Sequence, residues 1–394
     1  MSRWVKLMMM GLILLLPGLS VAGCQNQTPS TPVLQGLPAA SENFERVTAP
    51  VPLEFPRDHA AHPAYQTEWW YFTGNLRDAM GHAYGFQLTF FRRALPLGNE
   101  PSRASGWAAD QVYLAHFAVT DIGAREFKAF ERLERGAAGL AGAEIQDADG
   151  VDAARGFYGA RVWLHDWEFK QTGSDDFQII AQQDGVHLEL DLSSLKAPVL
   201  QGVQGYSQKG PQAGNASIYY SLTRLQAAGS ISVNGTPVEV SGSAWMDHEY
   251  STSALGADQV GWDWFALQLD DDTELMVYTL RKADGSLDEF SRGILIEPDG
   301  SSISLQRDDF SIEVLNTWVS PTSGAQYPAG WLIKVPGYDL ELGVTPALAD
   351  QELQLSFIYW EGAVTLTGSR GGKTINGVGY AELTGYARSM QGDF

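Results

Sequence analysis

The segment Trp245-Met246-Asp247-His248-Glu249-Tyr250 places two carboxyl groups, an imidazole and a phenol in four consecutive residues shortly after a tryptophan, and Trp262 and Trp264 follow. A carboxyl group kept neutral by apolar surroundings is a proton donor, because burial raises its pKa. Asp247 is the candidate acid, and His248 or Glu249 could orient or deprotonate a water molecule. The indole faces of Trp245, Trp262 and Trp264 suit a transient cation. An extended backbone sets a condition on this group, since Asp247 and Glu249 face one side of a strand while His248 and Tyr250 face the other. All four line one pocket only if a bulge or turn breaks the alternation. Turn-capping acids and a satisfied structural histidine are the competing account of the same residues.

A second group begins at Glu68, which opens the aromatic run Trp69-Trp70-Tyr71-Phe72. A carboxylate there needs a partner, and His59, His62 and Arg92 are candidates. A salt bridge clamping a barrel end explains Glu68 as well as ligand binding does. Trp69 and Tyr71 read as walls of a ligand cavity or as core, since aromatic side chains bury so much area. Tyr359-Trp360-Glu361 and Tyr380, with Glu382 and Tyr386 nearby, repeat this mixture, and Glu361 is a candidate second acid.

The elements that must hold these groups have hairpin grammar, and the grammar is used twice. Trp69/Trp262, Phe72/Phe265, Leu76/Leu269 and Asp78/Asp271 share one offset, and an Asp-His pair precedes each copy, Asp58-His59 and Asp247-His248. Each copy turns into a second apolar run ending on a base, Phe86 to Arg92 and Leu275 to Arg281. Alternating runs continue at 112–120, 217–225, 229–234 and 237–241, the last two joined by the tight-turn pair Asn234-Gly235. Val186, Leu188, Leu190 and Leu192 alternate with His187, Glu189 and Asp191, and Trp163, His165, Trp167 and Phe169 are expected on one strand face. Further runs at 262–269, 274–281, 290–297, 310–318, 330–335, 338–343, 353–368 and 375–388 complete an all-β pattern of sandwich or barrel type. The boundary between two domains is expected near 235–245, giving 51–240 and 241–394.

The N-terminus indicates where the protein works. Arg3 and Lys6 precede an uncharged apolar run from Leu7 to Leu19, which reads as a secretory signal over residues 1–23. Val21-Ala22-Gly23-Cys24 resembles a bacterial lipoprotein cleavage box, so Cys24, the sole cysteine, is the expected lipidation site. Gln25 after it favours, by the same resemblance, the outer membrane facing the periplasm. Residues 24–50, rich in Pro, Thr, Ser and Gln, read as a flexible tether. Without Arg3 and Lys6, 24 bases face 47 acids, a balance that repels phosphate backbones, so nucleic acid is not an expected partner.

Phe55-Pro56-Arg57-Asp58-His59, Glu68 through Gly74, Trp245 through Tyr250, Tyr359 through Val364 and Gly379 through Tyr386 together resemble the carotenoid 1,2-hydratase and AttH-like secreted hydrolase group. The resemblance implies two lipocalin-like antiparallel β-barrels in tandem, with an apolar ligand in or between them. It also implies cofactor-free addition of water to a double bond, with the Asp-His-x-aromatic segment in the site, here Asp247, His248 and Tyr250. Tyr250 stands where the hydratases have Trp, which weighs against carotenoid substrates. The chain lacks Gly-x-Ser-x-Gly, His-Glu-x-x-His, paired Cys-x-x-Cys, a phosphate loop and a dinucleotide fingerprint. Ser193-Ser194-Leu195-Lys196 fits Ser-x-x-Lys only as a short pattern, and His59 and His62 with Glu68 make a weak metal set, so no metal and no cofactor are expected. Two functions stay open: a hydratase, isomerase or hydrolase acting on an isoprenoid-like or lipid-like molecule, and a non-catalytic carrier of such a ligand, possible partner of an ABC-type transporter in the membrane.

Overall fold

The computed structural model describes residues 43–96, 106–145, 151–152, 157–253 and 255–391. The expected signal segment, Cys24 and most of the tether lie outside the described residues. Contacts with the folded body begin before residue 51: Glu45 N–H donates to Ala64 O, and Val47 is buried beside Tyr65, Ile218 and Tyr250.

The architecture is all-β, with one antiparallel sheet that nearly closes into a barrel and a second large antiparallel sheet. Both sheets use the same order. In the first, Glu126–Arg135, Gln111–Asp121, Ala83–Ala94 and Thr67–Asp78 lie side by side, and Thr67–Asp78 pairs next with the sheet's last strand, Val238–Ser251, which pairs in turn with Ala216–Val233. In the second, Ser302–Leu305, Arg292–Ile296, Glu274–Lys282 and Gln259–Leu269 repeat this run, and Gln259–Leu269 pairs with the last strand, Lys373–Leu383, beside Ile358–Arg370. The duplicated hairpins therefore hold equivalent places, and Phe72 and Phe265, Leu76 and Leu269 are all buried in their respective cores.

The two Asp-His pairs are not equivalent. Asp58-His59 ends a short 3-10 turn, Arg57–His59, whereas Asp247-His248 lies within Val238–Ser251. That strand runs across the boundary anticipated at 240/241 and completes the first sheet. Runs 217–225 and 229–234 form one strand, Ala216–Val233, with a register shift between Leu222 and Leu225. The Asn234-Gly235 turn is present, with Asn234 at φ 56°. Trp163 and Trp167 do not share a strand: His165, at φ 55°, turns the chain between Ala160–Leu164 and Trp167–Gln171, because Asp and His tolerate left-handed turn positions where larger β-branched residues do not. Val186, Leu188, Leu190 and Leu192 are buried as their alternation requires.

Each sheet wraps its own core, and a third apolar cluster fills the seam between them. Tyr71, Tyr219 and Trp245 from the first sheet meet Trp264, Met276, Tyr278, Ala363 and Tyr380 from the second. Close approach depends on Gly85, where an added Cβ would sit 2.7 Å from Ala363 Cβ. Asn75 Nδ2 donates to Gly379 O at 3.0 Å and Thr120 Oγ1 to Gln351 Oε1 at 2.8 Å across the same seam.

Candidate functional site

The Val238–Ser251 strand is the wall on which the chemistry divides. It lies between Thr67–Asp78 and Ala216–Val233, and its alternation is unbroken from Met246 to Ser251, where each residue has one Cα partner on either side. Asp247, Glu249 and Ser251 face a cavity at the seam, and His248 and Tyr250 face the other way.

The cavity, about 140 Å³ for a water-sized sphere, has aromatic walls from both sheets: Trp69, Tyr71, Phe91 and Tyr219 from the first, Trp262, Trp264, Tyr278, Phe357 and Tyr359 from the second. Four carboxyl groups face it, Asp247, Glu249, Glu361 and Glu382, with one cation, Lys209. Asp247 Oδ1 accepts from Ser221 Oγ at 2.5 Å and Trp245 Nε1 at 2.7 Å, and Oδ2 accepts from the Tyr219 hydroxyl at 2.5 Å. Burial outweighs these donors and pushes Asp247 up to about 7. Glu382, bonded by Trp262 Nε1 at 2.7 Å, is likewise pushed up to about 7 by burial. Glu361 is raised well above the carboxylate range, first by burial and then by the charge of Glu382, its direct cross-strand partner. Tyr71 donates to Glu361 Oε1 at 2.6 Å, while Oε2 closes no hydrogen bond. Glu249 accepts from Ser217 Oγ and pairs with Lys209 Nζ at 3.2 Å. Burial lowers the Lys209 pKa, but Glu249 more than compensates, so it stays a cation over the Tyr278 ring at 4.5 Å.

Behind the strand lies a closed polar network. Glu68, fully buried, accepts from His62 Nδ1, His248 Nε2 and Arg92 Nε, each at 2.8 Å. Burial alone would raise Glu68, yet Arg92 and the two histidines hold it well below the usual carboxylate range. With His248 Nε2–H given to Glu68, its Nδ1 must accept, so the Tyr220 hydroxyl donates there at 2.9 Å and takes a bond from His59 Nδ1 at 2.8 Å. Burial lowers His248 and pushes His59 down to about 3, so both are neutral. Ligand atoms of His62, Glu68 and His248 lie within 4.8 Å of one another. His62 Nδ1 and His248 Nε2 both bond Glu68 Oε1 and Arg92 Nε bonds Oε2, so the three groups form a hydrogen-bonded clamp on one carboxylate.

The structure thus brings Asp247, Glu249, Trp69, Tyr71, Trp262, Trp264, Tyr359 and Glu361 to one cavity. His248, Tyr250 and Glu68 stand behind its wall. Trp245 and Tyr380 pack in the seam without lining the cavity, Trp245 serving as an Asp247 donor. Lys209 and Tyr219 were not legible as site residues. Tyr219 lies directly opposite Glu249 in the register, a pairing that becomes visible only once 217–225 is aligned with 243–251.

The chain belongs to the AttH-like family, which it matches over residues 46–386. A crystal structure described as an AttH of Nitrosomonas europaea is 35% identical, covers 86% of this chain and 99% of its own, and superposes with a TM-score of 0.72. Kievitone hydratase of Nectria haematococca shares the fold at 14% identity, covering 89% and 99%, with a TM-score of 0.64. CghA, also solved with Sch210972, does so at 13% identity, covering 87% and 97% in that complex, with a TM-score of 0.55. Comparison with curated proteins gives no match.

Proposed function

We propose that this AttH-like protein is a cofactor-independent enzyme of hydratase type, acting by acid–base chemistry on a hydrophobic, isoprenoid-like or lipid-like molecule bound at the seam. The observation that carries the reading is Asp247: it faces an aromatic cavity and titrates at about 7, where one group exchanges protons readily in both directions. Hydrating an isolated double bond needs a strong donor to form a carbocation and a base to take a proton from water. The cavity supplies two carboxyl groups held at about 7, Asp247 and Glu382, a third raised by burial, Glu361, and π faces for the cation. By its sequence context Asp247 is a candidate donor. The three donors aimed at its oxygens favour its carboxylate form, which suits the partner that receives the proton from water. The hydratase among the fold relatives supports the reaction class, at fold level only.

The aromatic lining alone would also serve a carrier, delivering its ligand to a membrane transporter of ABC type. In either role the lipoprotein signal at Cys24 would hold the protein in the cell envelope, at the outer membrane facing the periplasm. Native mass spectrometry with lipid extraction, on protein purified from its own envelope, supplies the discriminating ligand. Turnover of that species by wild type, reduced about 10²–10⁴-fold in Asp247→Asn with binding retained, is the expected result. Binding without turnover in the wild type would leave the carrier.

A further inference from the structure

We infer that Glu361 gives the proton to substrate in this cavity and is recharged from solvent through Tyr359, His116 and Glu131; the inference rests on the hydratase-type reading. Glu361 Oε2 is buried at the cavity wall and closes no hydrogen bond, whereas both oxygens of Asp247 are occupied. An acid must present a free O–H to its substrate, and Oε2 is the oxygen on which Glu361 can carry one, from the sheet opposite Asp247.

Behind Glu361 runs a chain of groups that reaches the surface. Tyr359 stands two residues before Glu361 on the same face of Ile358–Arg370, lines the cavity beside it, and bonds His116 Nδ1 through its hydroxyl at 2.8 Å. His116, fully buried on Gln111–Asp121, contacts Glu131 Oε2 through Nε2 at 3.1 Å. The Glu131 side chain is 21% exposed. Burial would raise Glu131, but its bonds from His116 and Ser356 outweigh burial and lower it, so its carboxylate stands ready to take protons from solvent without retaining them. The other titratable groups around Glu361 are Tyr71, which donates to Oε1, and Glu382 and Tyr380 on the neighbouring strand. Imidazole passes a proton by taking it on one nitrogen and releasing it from the other. A swing of the Tyr359 hydroxyl between Nδ1 and Glu361 completes the path.

The proton balance requires such a path. The π pair of the substrate double bond forms the C–H bond with the Glu361 proton. A water oxygen then forms the C–O bond to the resulting cation, and its surplus proton goes to the Asp247 carboxylate. Each turnover leaves Glu361 one proton short and Asp247 one proton long, with product between them. Glu131, His116 and Tyr359 return the first proton from outside, and Asp247 releases the second to solvent.

The test needs no substrate, so its failure is distinct from an absence of hydratase turnover. Infrared spectroscopy of the full chain on transfer to D2O follows the carbonyl stretch of protonated carboxyl groups, and Glu361→Gln assigns the band. The expected result is exchange of the Glu361 band slowed about 10²-fold in His116→Gln and in Glu131→Gln, with the Asp247 band exchanging at its wild-type rate. Glu131 is partly exposed, so its variant carries the test if His116→Gln fails to fold. Equal exchange rates in wild type and Glu131→Gln, or no band lost in Glu361→Gln, would overturn the inference.

Discussion

The Tyr71 hydroxyl, from the first strand of the first sheet, donates to Glu361 of the second at 2.6 Å and is buried on both sides of the bond. The two sheets are therefore joined at the candidate acid itself. Tyr71→Phe should destabilise the protein by about 1–3 kcal/mol, because a buried acceptor loses its donor. It should also raise the Glu361 pKa further, since the lost bond favoured the charged form. Urea unfolding and infrared titration of the Glu361 band measure the two effects.

Stability should carry a signature of the cavity acids. Asp247 and Glu382 titrate at about 7 in the fold, against 3.8 and 4.5 in ordinary surroundings. Between those limits the native state holds protons that the unfolded chain has released, so their contribution falls as pH rises from about 4 to about 7. His59 and His248, whose pKa values the fold lowers, act in the opposite sense. The decisive quantity is thus the difference from Asp247→Asn/Glu382→Gln. In thermal melts the double variant should gain on wild type as pH is raised from 5 to 8, and a constant difference would refute the assignment.

Arg92→Met should cost about 3–5 kcal/mol, because it leaves the Glu68 carboxylate buried without its fixed cation. Ligand affinity of the folded fraction should stay near wild type, since Arg92 lies behind the cavity wall. Denaturation and tryptophan-fluorescence titration with the co-purifying ligand separate the two quantities. A variant of normal stability would sink the clamp assignment.

Gly85→Val should force the sheets apart at Ala363, where even a Cβ has only 2.7 Å. An overpacking cost of about 1–3 kcal/mol is expected in chemical denaturation, together with weaker ligand binding, because cavity and seam share their walls.

The alternating strands and the duplicated hairpin were legible because period-two burial is a local property of sequence. The split of Asp247 and Glu249 from His248 and Tyr250 was legible for the same reason, and the strand kept its alternation. Membership of Val238–Ser251 in the first sheet was not, since its partners Thr67–Asp78 are remote in sequence and the Asp-His repeat suggested a false equivalence. Lys209 sits in a loop whose path no periodicity reports. His116, one alternating residue among apolar neighbours, acquires its partner Tyr359 only when two sheets dock.

In both sheets the opening strand pairs with the closing one, Thr67 with Ser251 and Asp263 with Leu383. A chain emerging from its amino end must therefore keep the aromatic run at Trp69–Phe72 unpaired on one edge until the residues of Val238–Ser251 arrive. Such sequence-distant closure makes folding slow and leaves a sticky edge exposed meanwhile. A chain assembled this way would depend on a holdase chaperone while that edge is open, and its yield should respond to chaperone supply more than to small changes in final stability.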